Sequence, residues 1–227
     1  MPLMSGPIAA QVDAMSHEPA ASGLPDDVRA VLKTDQVRLA GTSVPDGVIA
    51  AGAPFPEVGL VSLDGSLVRL KDIVGSRASV VIFYRGTWCP YCNVALKIYQ
   101  EQLLPQLDVA HVVLIAISPQ LPDGSLSMRE KNELSFTVLS DPGNVAARAI
   151  GIISPPSDEV RDAQAKLGID LAKINVDDDP DLPMPTTIVL DSNQVVRFVD
   201  VHPDYTTRTE PDDIIAEVAN LTTDVRA

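Results

Sequence analysis

Residues 79–92 read Ser79-Val80-Val81-Ile82-Phe83-Tyr84-Arg85-Gly86-Thr87-Trp88-Cys89-Pro90-Tyr91-Cys92. The uninterrupted apolar run over 79–84 has the length and composition of a strand buried on both faces. A helix is expected over 90–104, with Val94, Ala95, Leu96, Ile98, Tyr99, Leu103 and Leu104 interleaved with Lys97, Gln100 and Glu101, and with Pro105 as its stop. Pro90 suits the first helical turn, where its missing N–H would have had no helical partner. The only two cysteines, Cys89 and Cys92, therefore stand where a strand hands over to a helix. Thiols two residues apart at a helix start can close a small disulfide ring with little backbone movement. Unpaired amide N–H groups and the helix dipole favour negative charge on the first of them. Its pKa is then expected to fall from about 8.5 toward roughly 7 or below. Arg85 adds positive charge upstream. Cys89 is accordingly expected to be exposed and nucleophilic, and Cys92, one turn deeper, to be the resolving thiol.

Two other readings compete with a redox dithiol. A zinc site needs about four ligands. Only His17, His111 and His202 are available to join the cysteines, and none has ligand spacing. An inert structural dithiol in a non-catalytic domain is the other. A redox pair is the general meaning of this spacing beside a strand–helix–strand pattern.

Outward from this stretch, strands alternate with helices. Residues 58–63 and 67–70 flank the hairpin signal Asp64-Gly65. Strands are expected over 109–118, 137–139, 186–190 and 195–201, and helices over 124–134, 158–167 and 212–221. The pattern implies an α/β layer architecture, with parallel strands in the middle and an antiparallel edge. Residues 152–182 read as an insertion. Residues 1–50, rich in Ala, Ser, Pro and Gly, read as a partly helical N-terminal arm with helices near 8–15 and 26–39. The arm is expected to pack on the main domain (51–227) or on a second subunit, which would make a homodimer. A partly disordered leader is the competing reading.

Across 227 residues there are 31 acidic and 17 basic side chains, a formal net charge of −14. Such a surface repels phosphate backbones and anionic membrane surfaces, so neither nucleic acid nor membrane is an expected partner. The start carries no cationic flank and no apolar stretch of the secretory kind, so a cytoplasmic location is expected. There is no nucleotide-binding glycine loop, so no flavin or nicotinamide is expected to be bound. The run Asp177-Asp178-Asp179-Pro180-Asp181 lacks the alternating ligands and central glycine of a calcium loop and reads as a solvated loop.

These pieces together resemble the peroxiredoxin-like branch of the alkyl hydroperoxide reductase C / thiol-specific antioxidant family. The matching segments are Ala53-Pro54-Phe55 with its hairpin, residues 80–90, Ile115-Ala116-Ile117-Ser118, Leu139-Ser140-Asp141-Pro142 with residues 147–151, and Ile188-Val189-Leu190-Asp191. The resemblance implies a thioredoxin-like fold, with a central mixed sheet flanked by helices. It also implies a cis peptide bond before Pro185, lying against the dithiol. The implied activity is reduction of hydroperoxides through a Cys89/Cys92 dithiol–disulfide cycle, renewed by an external thioredoxin-like or glutaredoxin-like reductant. Reduction of protein or small-molecule disulfides is the alternative. The family sets a Pro and a Thr or Ser before its peroxide-reacting cysteine, and an Arg farther along. Before Cys89 those places hold Ile82 and Gly86, before Cys92 they hold Arg85 and Cys89, and the Arg place holds Pro185. Thr87 and Arg85 are the expected substitutes as donors to peroxide oxygen. Trp88 and Tyr91 are expected to form an aromatic lip around the thiols.

Overall fold

The computed structural model describes residues 6–17 and 23–224. Two helices lead, α1 (Pro7–His17) and α2 (Asp26–Ala40). They are followed by the hairpin β1 (Gly59–Val61) and β2 (Leu67–Arg69) and a short helix α3 (Leu70–Val74). Strand β3 (Ser79–Phe83) runs into α4 (Pro90–Ile98), which passes through a π-helical turn (Tyr99–Leu103) into α5 (Leu104–Val109). Next come β4 (Val113–Ser118), α6 (Pro122–Lys131), β5 (Thr137–Ser140) and α7 (Val145–Ala149). The insertion holds β6 (Ile153–Ser154), α8 (Asp158–Lys166), α9 (Leu171–Ile174) and β7 (Leu182–Pro183). The chain then closes with β8 (Thr186–Leu190), β9 (Val196–Val201) and α10 (Pro211–Asp224).

The large sheet has the order β2-β1-β5-β4-β3-β8-β9. Strand β3 lies between β4, which is parallel to it, and β8, which is antiparallel. β4 and β5 are also parallel, while β1, β2 and β9 supply antiparallel edges. Every residue of β3 is buried, which is why its sequence shows no polar alternation. Side chains nevertheless alternate between two apolar layers. Val80, Ile82 and Tyr84 face the layer built with α4, α10 and Ile8 of α1. Val81 and Phe83 face the other, with Phe55, Leu60, Ile115, Leu139 and Ile188. Both cysteines belong to the first layer.

Two expectations are corrected. Pro105 does not end the helix. The π turn shifts the hydrogen-bond ladder, with the Leu104 N–H donating to Tyr99 O, and Pro105 falls in the first turn of α5, where no N–H is needed. The peptide before Pro185 is trans, and no cis bond occurs among the described residues. The chain already arrives extended there. β7 pairs with β6, and the Met184 N–H donates to Ile152 O at 2.7 Å, so the path into β8 needs no sharp reversal.

The arm packs on its own chain. Ile8 is buried in the core, and the N–H groups of Ile8 and Ala9 donate to Glu210 at 3.0 and 2.8 Å. Helix α2 lies on α8 of the insertion, tied by a Lys166–Asp27 ion pair at 2.6 Å. Arm residues 1–5 and 18–22 lie outside the described residues. No helix among the described residues is long and apolar enough to cross a membrane.

Candidate active site

The turn between β3 and α4 begins at Gly86, whose φ is +150°. A Cβ there would lie 2.6 Å from Trp88 Nε1 and 2.9 Å from Gln120 Cδ, so this position has no room for a side chain. Glycine lets the chain turn tightly and lay Trp88 over its own backbone. Cys89 follows as the residue preceding α4 and Pro90 opens the helix, as the sequence implies. The Cys89 carbonyl accepts the N–H groups of Cys92 and Asn93, each at 3.2 Å, which fixes both cysteines on the first turn. Asn93 secures the turn again, its Nδ2 donating to Thr87 O and Cys89 O at 2.8 Å each.

A cleft of about 540 Å³ opens above this turn. Its floor is Arg85, Trp88, Cys89, Pro90 and Tyr91. Helix α2 forms one wall through Leu32, Lys33 and Gln36, and Val160, Gln164, Leu167 and Ile169 form another. Tyr205 completes it. Trp88 and Tyr91 both line the cleft, with Tyr205 beside them. Tyr91 and Tyr205 have ring centroids 6.0 Å apart. The Arg85 guanidinium carbon stands 4.0 Å from the Tyr205 centroid and 5.0 Å from that of Trp88, close enough for cation–π attraction. Gln36 of α2 donates to the Tyr91 hydroxyl at 3.1 Å. Thr87 does not face the cleft. Its hydroxyl reaches Gly124 O at 2.8 Å and Gln120 Oε1 at 3.1 Å, so it anchors the start of α6. Pro185 lies beneath Arg85 and Tyr205, in a smaller depression shared with Met184.

Cys89 is only 1% exposed, against the expectation of an open thiol. It belongs to the core cluster with Trp88 and Tyr91 packed against it, and the cleft above it is walled by α2, the insertion and Tyr205, none of which is local to the motif. Burial pushes the Cys89 thiol up, and the neighbouring Cys92 thiolate, which Cys89 hydrogen-bonds, adds to this. The lowered value belongs to Cys92. Burial alone would raise it, but the Cys89 S–H, the Arg208 charge and the Arg85 backbone N–H together hold it well below the usual thiol range. Arg208 Nη2 lies 3.1 Å from Cys92 Sγ. Its Nη1 donates to Tyr205 O at 2.7 Å and Thr207 O at 2.5 Å, so the guanidinium is aimed by carbonyls of its own loop. Below it the Tyr99 hydroxyl donates to Thr209 O at 2.7 Å.

Arg208, Tyr205 and Gln36 are not candidates on sequence grounds, because no spacing links their segments to the cysteines. Among the described residues no three His, Cys, Asp or Glu side chains converge as metal ligands. Chemically, the site offers two buried sulfurs hydrogen-bonded to each other, a guanidinium on one of them, and a largely apolar cleft over the other.

The AhpC/TSA family model matches residues 51–199. The putative peroxiredoxin bcp of Haemophilus influenzae is 30% identical over 104 residues, covering 46% of this chain and 66% of that protein. Peroxiredoxin Bcp of Escherichia coli strain K12 is 31% identical over 104 residues, covering 46% and 65%. The match thus spans less than two thirds of either relative's length. Among solved structures, reduced Prx3 of Vibrio vulnificus in complex with hydrogen peroxide superposes with a TM-score of 0.61 at 16% identity, over 75% of this chain and 99% of that one. The mixed sheet with flanking helices is therefore the thioredoxin-like α/β fold that the sequence implies. With a strand–turn–helix dithiol inside the matched segment, the chain belongs to the AhpC/TSA family.

Proposed function

We propose that this chain is a thiol-dependent antioxidant peroxidase that reduces hydroperoxides through Cys89 and Cys92. The observation that carries this is a dithiol set under a cleft, with a guanidinium on one sulfur and a second guanidinium, Arg85, in the cleft floor. The peroxiredoxin names of the two bacterial relatives, and the complex of the Vibrio protein with hydrogen peroxide, support the same reading.

Cys89 lines the cleft and Cys92 does not, so Cys89 is the sulfur that meets substrate. Its thiolate attacks the terminal peroxide oxygen. An S–O bond forms, the O–O bond breaks, and the alcohol or water leaves. Arg85 and the turn face the departing negative charge. Cys92 then attacks the sulfenic sulfur, an S–S bond forms and hydroxide leaves. An external dithiol, thioredoxin-like or glutaredoxin-like, returns the pair to the reduced state, and no bound cofactor takes part.

Rapid mixing of reduced protein with hydrogen peroxide, and separately with an organic hydroperoxide, tests this. Trp88 is the only tryptophan and touches the site, so its fluorescence reports oxidation. The expected result is fast oxidation of the parent, slowed but retained in Cys92→Ser and lost in Cys89→Ser. Slow peroxide oxidation beside rapid exchange with a small disulfide would overturn the peroxidase and favour disulfide reduction.

A further inference from the structure

A buried guanidinium is costly unless an opposite charge meets it. Arg208 is 8% exposed, and no carboxylate among the described residues pairs with it. Among the described residues, the only side-chain atom that Arg208 hydrogen-bonds is Cys92 Sγ. The loop spends both Nη groups in one geometry, carbonyls on one side and sulfur on the other. Arg208 also lies outside the 51–199 family match.

We propose that Arg208 is a positioning residue that stores the pair's single negative charge on Cys92, making Cys92 the base that takes the Cys89 proton when substrate arrives. This deepens the peroxidase reading and rests on it for the substrate step, though not for the charge itself. The proton balance closes. At rest the pair is Cys89 S–H and Cys92 S⁻. The proton crosses to Cys92, and Cys89 S⁻ attacks the peroxide to give Cys89–S–OH and an alkoxide. The alkoxide takes the proton back from Cys92 and leaves as alcohol. Cys92 is again a thiolate, ready to close the disulfide with loss of hydroxide, which water protonates. One proton therefore serves both activation and departure, and the charge returns each time to the sulfur that Arg208 holds.

The other groups around the pair do not supply this charge. Tyr84 beside Cys92 is pushed up to about 12 by burial, and burial also raises Tyr91 beside Cys89 and Tyr99 beside Arg208. All three are neutral phenols over the working range. Asp200 and Glu210 act on Tyr99, and Asp204 acts on Tyr91. Arg85 contributes its backbone N–H and a more distant positive charge to Cys92.

The test is thiolate ultraviolet absorbance against pH, with no peroxide present, so its outcome is independent of peroxidase activity. Cys89→Ser leaves Cys92 alone with a hydroxyl donor beside it, and its midpoint should lie below the ordinary thiol value of about 8.5. Cys92→Ser leaves Cys89 alone, and its midpoint should lie above that of the first variant. Adding Arg208→Met to Cys89→Ser should raise the midpoint by about one to three pH units, and Arg208→Lys should restore most of the shift. If Arg208→Met fails to fold by circular dichroism, the comparison of the two serine variants decides alone. A Cys92 midpoint at or above that of Cys89, or one that does not respond to Arg208→Met in a folded chain, overturns the proposal.

Discussion

Arg208 Nη2 donates to Cys92 Sγ at 3.1 Å although 116 residues separate them in the chain. The loop that makes this contact is held at its base. Asp200 Oδ2 accepts Thr209 Oγ1 at 2.9 Å and pairs with His202 Nε2 at 3.0 Å. The approach of guanidinium to sulfur thus depends on a carboxylate that never touches either.

Asp200 gives the first prediction. Its carboxyl is held below the ordinary carboxylate value, chiefly by the His202 hydrogen bond, with Thr209 adding to it against partial burial. A depressed folded-state value means that the stabilisation is full above the unfolded value, about 3.9, and is lost as pH falls through the folded one. Asp200→Asn should cost about 1 kcal/mol at neutral pH, the size of a partly screened hydrogen bond to a charged group. The gap to the parent should close below about pH 4. Thermal melts across that range measure it; a gap that widens in acid contradicts the assignment.

The division of labour between the sulfurs gives the second. Treated with one equivalent of peroxide and a sulfenic-acid trap, Cys92→Ser should carry the label on Cys89, while Cys89→Ser stays largely unlabelled. Peptide mass spectrometry locates the adduct. Label found on Cys92 in the parent chain would reverse the roles.

Gly86 gives the third. With φ at +150° and Trp88 Nε1 2.6 Å from where a Cβ would stand, Gly86→Ala must displace the indole or the turn. A loss of about 1–3 kcal/mol is expected from backbone strain and overpacking together. The Trp88 emission maximum should shift with it. Denaturant titration and the emission spectrum of the folded variant check both; an unchanged midpoint would show that the turn relaxes freely.

The cleft gives the fourth. Leu32 of α2 lines it together with Cys89. Leu32→Trp should reduce the rate constant for a bulky aromatic hydroperoxide on the order of tenfold and leave hydrogen peroxide within about twofold, because only the larger substrate needs the volume. An equal loss for both would mean that the substitution disturbs the sulfurs rather than the space above them.

What the sequence discloses follows from the range over which each feature is encoded. The run 79–84, the dithiol and the proline at the helix start are contiguous, and strand, turn and helix form there as local pattern requires. Helices α2 and α8 carry their own start signals and lie within one or two residues of expectation. Burial and charge are not local. The motif reads as open because its sequence does not contain the arm, the insertion and Tyr205, which wall the cleft above a buried Cys89. The helix start points to a lowered value on Cys89; burial raises Cys89 instead, and Cys92 is the one held low, against its own burial, by the Cys89 S–H and then by Arg208, a residue far along the chain. Pro105 misleads because a π turn, which has no sequence signature of its own, moves it to a position where proline is harmless.

The wall of the cleft that belongs to α2 lies ahead of the family-matched segment, while both sulfurs lie within it. Part of the space above Cys89 is thus shaped by a helix outside the segment that carries the dithiol. A change confined to that wall reshapes what approaches the sulfurs without editing the peptide that carries them.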